Sequence, residues 1–471
     1  MDTFLHKFPK LGKLIIFLMD LILVHVGFVL AYIVRFGNNL PVKNFQPYYE
    51  LIPVITLLSI ILFHIYGLYN TLRKNYNDIV FSLIISLSLL QILTVVSTFF
   101  IRQFAFPRSI FGIALIIQIG LLSLWRYIVQ NAIKHAHGEK NIMIVGEKDA
   151  ADKIAKKLIT SSRGWFEIKY IISPEKYDEI IKHFDEIDAV YICNDVKEDI
   201  KTRLFYDSMK FKKHLFVVPN FRDILMVKSQ FVQFDDVPVV SINSLSLTEE
   251  DKFIKRVFDV VFSIIGVVIT LPLMAIIALI IKLTSPGPVI YKQTRITENG
   301  KKFKVYKFRT MYNDAEKMTG PVLATDNDPR ITKVGKILRA TRLDELPQLF
   351  NVLKGDMSFV GPRPERPYFV EQFEKQYPSY KYRHNVKAGI TGLAQVFGKY
   401  STDADDKLRL DLIYIKNYSF WLDLKIILLT LKTVLTKEAS FGIKEDVELE
   451  ELLESLDYNV YSELGITKIE R

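Results

Sequence analysis

The chain has 471 residues, 49% hydrophobic and 24% charged, with a mean hydropathy of +0.17. This balance excludes a disordered chain and an all-membrane transporter, and at roughly 150 residues per domain it implies several domains, some of them in a membrane. The single cysteine, Cys193, excludes an intramolecular disulfide framework, while a net charge of +10 admits nucleic acid, anionic lipid or a phosphorylated substrate as partner.

Four apolar stretches fall in the first 130 residues, at 14–34, 51–69, 79–101 and 110–129, each long enough to cross a bilayer core. The first lacks a following small-x-small cleavage site and is read as a retained span. Lys7, Lys10, Lys13, Arg73, Lys74 and Lys134 lie on alternate sides from the sparser Arg35, Lys43, Arg102 and Arg108. The positive-inside preference therefore puts the N-terminus, the 70–78 loop and everything after residue 130 on the cytoplasmic side. Asp20 interrupts the first stretch and Arg126 lies near the end of the fourth. A lone carboxylate near a helix end is expected to pack against another helix rather than to relay ions.

From 140 to 245 short β-rich runs (142–145, 168–172, 189–193 and 215–218) alternate with charged helical stretches such as 148–160, the pattern of a parallel α/β sheet. The turn after the first run carries Gly146 alone, whereas a dinucleotide fingerprint needs three glycines for close approach to a pyrophosphate. Tyr206 and Lys210 have the Tyr-x-x-x-Lys spacing of nucleotide-sugar enzymes, but without the glycine loop they read as a solvated helix face. Cys193, ending an apolar run, reads as a core residue.

A fifth apolar run, 257–281, is entered through Lys255 and Arg256, leaves through Lys282, and contains Pro272. Proline removes a helix hydrogen bond and forces a kink. On these residues alone a re-entrant hairpin and an ordinary kinked fifth span both stand.

Between residues 282 and 342 there are fourteen Lys and Arg against five acids, a net +9 that is nearly the whole excess of the protein. Arg339 and Arg342 lead directly into Asp344-Glu345. Neighbouring cations are expected to keep Asp344 ionised, as attack on phosphorus requires, and a second carboxylate can share Mg²⁺ with substrate phosphates. An adjacent Asp-Glu pair alone would be a helix start. It is followed, however, by Gly361-Pro362-Arg363-Pro364-Glu365, a stiff loop holding one guanidinium, and by Gly389-Ile390-Thr391-Gly392, a glycine-punctuated turn.

At KRVFD (255–259), TSPGPVIYKQTR (284–295), YKFRTM (306–311), the long run 328–365, GITGLAQV (389–396) and LDLIYIKNYSFWLDLKI (410–426), the chain resembles the bacterial polyprenyl-phosphate sugar phosphotransferases. The resemblance covers roughly 255–435, and the spans and middle domain resemble the long-form members. It implies a membrane protein with a four-helix transmembrane N-terminal region (1–135), a degenerate Rossmann-like α/β middle domain (140–245), and an α-rich monotopic catalytic domain (250–440) with a re-entrant membrane helix. An acidic tail (441–471) closes the chain. The implied activity moves a sugar 1-phosphate from a UDP-sugar to undecaprenyl phosphate, releasing UMP, at the cytoplasmic face of the inner membrane. Asp344 matches the nucleophile, Glu345 its Mg²⁺-associated partner, and Pro272 the helix break. Lys307, Arg309, Arg363 and Asp411 match positions of substrate or metal handling, and Arg342 joins them as a neighbouring cation. Membrane lipid is a partner, nucleic acid is not, and a homodimer is the default oligomer.

Three residues depart from the family pattern: Thr297 for Gly, Ala388 for Pro and Lys399 for Arg. Rival readings are a non-catalytic scaffold of polysaccharide assembly and a membrane-anchored nucleotide-sugar dehydratase, the latter lacking its glycine motif. The apolar run after Phe420-Trp421, with Lys425 and Lys432 seven apart, is expected to lie in the membrane interface.

Overall fold

A computed structural model describes residues 9–37, 40–69, 75–161, 165–312, 328–398, 402–435, 448–456, 458–463 and 465–470. Lys399 and the acidic residues Glu445 and Asp446 lie outside them. The chain divides into two units, Met1–Val218 with Asp446–Arg471, and Pro219–Glu445.

The first unit begins with helices α1 (Pro9–Phe36), α2 (Val42–Ile65), α3 (Tyr76–Phe100) and α4 (Arg108–His137), all long and apolar enough to cross a membrane. Asp20 on α1 forms a buried ion pair with Arg126 on α4, so the charges that interrupt these two apolar helices meet each other. Farther along the same pair of helices Gln118 donates from Nε2 to the Val24 carbonyl at 2.9 Å. Gly27 leaves room for that side chain, since a Cβ there would lie 2.4 Å from Gln118 Cγ.

Strands β1 (Lys140–Val145), β2 (Phe166–Ile172), β3 (Ala189–Ile192) and β4 (His214–Val217) are mutually parallel in the order β2-β1-β3-β4. Helix α5 (Lys148–Ser161) follows β1 and helix α6 (Glu198–Lys210) follows β3. A Cβ on Gly146 would lie 2.5 Å from Cys193 Sγ, and Asp195 accepts a hydrogen bond from the Glu147 amide at 2.9 Å. The chain's own Cys193 and Asp195 thus close the crevice beyond β1 and β3. Cys193 is fully buried, and burial together with Asp195 pushes its thiol up to about 12, so it is an inert core residue. Tyr206 is 70% exposed, a solvated helix position.

The closing segment is not a tail. After the second unit the chain returns as helix Leu449–Glu454 and strands Asn459–Glu463 and Ile466–Glu470, and the last strand pairs antiparallel with β2, Ile466 opposite Ile172. Leu449, Leu453 and Ile469 enter the core of the middle sheet. The run of acids masked this, because it hides Leu449 and Leu453, both placed for burial. Ending the chain after residue 447 is expected to cost several kcal/mol, at about 1.5–3 kcal/mol per buried Leu or Ile. Limited proteolysis should then cut faster within β1 and β2 (140–145 and 166–172) than it does in the full chain.

In the second unit a helix of 36 residues, α7 (Glu249–Thr284), is capped by Thr248, whose Oγ1 accepts from the Asp251 amide at 3.1 Å. It continues through Pro272, which lies on the exposed side, where only the bond to the Val268 carbonyl is forfeited. Its inner side is tied to the unit along its whole length. Lys255 reaches Asp423 at 2.5 Å, and Arg256 caps the Val352 and Leu353 carbonyls at 2.7 and 2.8 Å. Asp259 accepts from Ser358 Oγ and the Phe359 amide, and Met274, Ile277 and Ile281 pack with Phe308 and Leu338. Its outer side exposes Val261, Ile265, Val268, Ile269, Ile276 and Leu283.

Hairpin β5 (Ile290–Ile296) and β6 (Lys302–Phe308) follows, then α8 (Lys333–Ala340), α9 (Gln348–Lys354) and the short parallel pair β7 (Ser358–Val360) and β8 (Gly389–Thr391). Helices α10 (Ala404–Lys416) and α11 (Phe420–Leu435) close the unit. On α11, Asp423, Ile426 and Leu429 are buried, while Trp421 is 73% exposed.

Candidate active site

Four segments place the site. Thr332 caps α8 by accepting from the Gly335 amide at 2.9 Å, and glycine is required at 335 because a Cβ would lie 2.0 Å from the Thr310 carbonyl oxygen. The helix therefore lies directly on the chain leaving β6. The helix ends at Ala340 with Thr341 as its cap, and Arg342 then adopts φ 59 and ψ 13, a left-handed conformation costing a non-glycine residue roughly 1–2 kcal/mol. The one-turn 3₁₀ segment Leu343–Glu345 follows and buries Asp344. Behind it, Asn351 on α9 holds β6 by accepting from the Tyr306 amide at 2.9 Å and donating to the Lys304 carbonyl at 2.8 Å.

β6 delivers Lys307 Nζ to Glu345 Oε1 at 2.6 Å, and the 361–365 loop delivers Arg363 Nη2 to the same oxygen at 3.2 Å. Both cations thus converge on Glu345, not on its neighbour. Burial pushes the Glu345 carboxyl up, but Lys307 and Arg363 outweigh it and hold the group well below the usual range. Asp344 is shifted the other way: burial and the adjacent Glu345 charge raise it, and Lys307, Arg339 and Arg342 offset this only in part. The expectation that nearby cations hold Asp344 low is thereby corrected, because burial beside the charged Glu345 outweighs Lys307, Arg339 and Arg342.

Lys307, Arg363, Asp344 and Glu345 come together, and Arg342 adds its field to both carboxylates. Arg309 does not point into this group. Its Nη2 donates to Ser285 O and Oγ, both at 2.8 Å, and its Nε and Nη1 are buried without a partner. Asp411 is buried elsewhere, paired with Arg383 at 2.8 Å. Pro272 lies on the membrane-type helix, apart from the carboxylates.

Sequence reasoning missed Arg383 and Arg295, both of which donate to the carbonyls of the 361–365 loop. It also left Thr297 and Ala388 as separate departures. The structure couples them: the Ala388 amide donates to Thr297 Oγ1 at 3.1 Å, and Thr297 Oγ1 donates to the Asp356 carbonyl at 2.8 Å. The hydroxyl of Thr297 and the N–H of Ala388 thus satisfy each other, which a Gly at 297 or a Pro at 388 would not do.

Among the described residues no cluster of three or more His, Cys, Asp or Glu could hold a metal alone. Mg²⁺ does not need such a cage, since it takes one or two carboxylates, waters and substrate phosphates. A carboxylate held firmly ionised fits that requirement, with Glu345 as the protein's oxygen donor.

A family model described as bacterial sugar transferase matches residues 250–437. The chain is 47% identical over 208 residues to the UDP-N-acetylgalactosamine-undecaprenyl-phosphate N-acetylgalactosaminephosphotransferase of Aeromonas hydrophila, covering 44% of this chain and 49% of that protein. It is 44% identical over 199 residues to the exopolysaccharide production protein PSS of Rhizobium leguminosarum bv. phaseoli, covering 41% of this chain and 100% of that protein. Across 485 residues it is 29% identical to the UDP-glucose:undecaprenyl-phosphate glucose-1-phosphate transferase of Xanthomonas campestris pv. campestris, covering 93% of this chain and 96% of that protein. The chain spans about half the length of the first curated relatives it matches.

Proposed function

The chain belongs to the bacterial sugar transferase family, and on that premise we propose that it transfers a sugar 1-phosphate from a UDP-sugar to undecaprenyl phosphate, beginning the synthesis of a surface polysaccharide. The observation that carries this reading is the asymmetric carboxylate pair: Asp344 at a strained turn, with its neighbour Glu345 locked by Lys307 and Arg363.

A carboxylate oxygen of Asp344 attacks the phosphorus that bears the sugar. The new bond joins that phosphorus to Asp344, the bond to the uridine-side phosphate breaks, and UMP leaves with the electron pair. An oxygen of the lipid phosphate then attacks the same phosphorus and returns Asp344 as a free carboxylate. Arg363 and Lys307 hold Glu345 ionised and present donors toward the incoming phosphates. Mg²⁺, held through Glu345, would supply charge neutralisation at the diphosphate.

The same reading takes α7 as re-entrant, with the four N-terminal helices as spans and the sheet after them as a degenerate nucleotide fold. Contacts from Lys255 to Ile281 with one polar domain support this, since a helix crossing the membrane would carry its two ends away from a single domain. Its exposed apolar side then faces lipid, and the site stays where the donor is.

Purified protein in detergent with Mg²⁺ and a panel of UDP-sugars is expected to release about one UMP per enzyme from the right donor alone, and to turn over repeatedly only when undecaprenyl phosphate is present in excess over enzyme. No UMP from any donor, in folded protein, would leave the scaffold reading. Turnover should also decline on the acid side at a higher pH than an ordinary aspartate gives, because the raised Asp344 loses its charge as pH falls through its pKa. Lys307→Gln removes a lowering charge, so a pH–rate profile should show that acid limb moved to still higher pH.

A further inference from the structure

Arg363 reaches Glu345 from a loop with no regular secondary structure, so something must fix that loop. Five consecutive residues have their main-chain groups bound. The Gly361 amide donates to the Thr391 carbonyl at 2.8 Å, and the Pro362 carbonyl accepts from the Gly389 amide at 2.9 Å. The Arg363 carbonyl accepts from Arg383 Nη2 at 3.0 Å, the Pro364 carbonyl from Arg295 Nη1 at 3.1 Å, and the Glu365 carbonyl from the Ile296 amide at 3.0 Å. The group that grips the Arg363 residue itself is the guanidinium of Arg383, only 4% exposed. Its other donors are engaged as well: Nε binds Asp411 Oδ2 at 3.0 Å and Nη1 binds the Tyr380 hydroxyl. Asp411, 2% exposed on α10, thus aims Arg383, and Arg383 aims Arg363.

We propose that Arg383 is a positioning residue for phosphosugar transfer, setting the Arg363 guanidinium against Glu345 through the Arg363 main-chain carbonyl, and that Asp411 serves the reaction by orienting Arg383 rather than by meeting substrate or metal. The inference rests on the phosphotransferase reading. A fork of five donors can serve a carboxylate, a phenol and a carbonyl at once, which a lysine ammonium on a single axis cannot. A displacement of about 1 Å at a group that orients a reacting phosphate can cost on the order of a hundredfold in rate.

The test is a double-mutant cycle on the full chain in detergent, with UMP release as readout. Arg383→Lys keeps the charge opposite Asp411, so the buried carboxylate stays paired and the domain folds, whereas Arg383→Gln would strand it. Arg383→Lys is expected to lower kcat/KM about tenfold or more in the wild-type background, and by less than about twofold in an Arg363→Gln background, where no guanidinium remains to be aimed. Equal losses in both backgrounds would mean that Arg383 acts independently of Arg363, and would overturn the inference. Amide hydrogen exchange over residues 361–366 gives an answer that needs no turnover: faster exchange there in Arg383→Lys supports the clamp, and unchanged exchange overturns it. A wild type that releases no UMP would sink the phosphotransferase reading, and the exchange measurement would still decide whether Arg383 fixes the loop.

Discussion

Asp344→Asn is expected to abolish UMP release, by a factor on the order of 10⁴ or more, while leaving the protein as stable as the wild type or more so. The first half follows from the chemistry. An amide of the same shape is neutral and too weak a nucleophile to displace UMP at phosphorus, and the remaining groups only bind and orient. The second half follows from the electrostatics. Asp344 is buried beside an ionised Glu345, and its carboxyl is raised because the folded state disfavours its charge. A carboxyl raised on folding contributes stability below its unfolded pKa and loses it as pH rises through the folded value, so at neutral pH the charge works against the fold. A neutral amide removes that cost. Glu345→Gln should behave in the opposite sense, since its charge is paired with Lys307 and Arg363, and removing it leaves two cations facing each other. Melting curves of the two variants therefore separate the roles even though both lose activity. Mass spectrometry after donor alone should find a phosphosugar on residue 344 in the wild type and none in Asp344→Asn. A wild-type adduct elsewhere would transfer the nucleophile's role to that residue.

Much of this site was legible as text because its parts are local. Asp344 and Glu345 are adjacent, Arg363 sits between two prolines, and Lys307 lies in strand register with Phe303 and Val305. What could not be read was direction. Counting cations around Asp344 suggested that its carboxyl is held low, but Lys307 and Arg363 share a single oxygen of Glu345, and burial beside that charge raises Asp344. Asp411 has a partner 28 residues away, and nothing local marks Arg383 as the one. The four apolar helices and the strands of the middle sheet were visible through periodicity and β-branched runs. The strands from Asn459 onward were overlooked because the acids ahead of them dominated the composition, although Ile466 and Ile469 were there to be counted. Thr297 and Ala388 show the same limit in another form: each looked like an isolated exchange until the hydrogen bond joined them.

The two glycine motifs explain each other, and this yields the other large expected effect. Gly361 opens the loop that carries Arg363, Gly389 and Gly392 lie some thirty residues on, and the structure crosses these segments at main-chain distance. A Cβ on Gly389 would lie 2.1 Å from the Gly361 nitrogen, one on Gly392 2.2 Å from the Gly361 oxygen, and one on Gly361 2.3 Å from the Lys387 oxygen. All three obstacles are backbone atoms, and no rotamer change relieves them. Gly389→Ala is therefore expected to part β7 from β8, where Gly389 stands opposite Ser358 and Thr391 opposite Val360. With that pair go the two hydrogen bonds that hold Gly361 and Pro362. The cost should be about 3 kcal/mol or more, with activity lost even in the fraction that folds, because Arg363 no longer has a fixed base. Gly120→Ala makes the same chemical change on α4, where no atom lies within 4 Å of the new methyl, and alanine favours a helix over glycine by about 0.8–1 kcal/mol. That variant should melt no lower than the wild type and keep full UMP release. If Gly389→Ala also kept both, the crossing would be looser than the structure has it, and Arg363 would have to be held from its side chain rather than from its main chain.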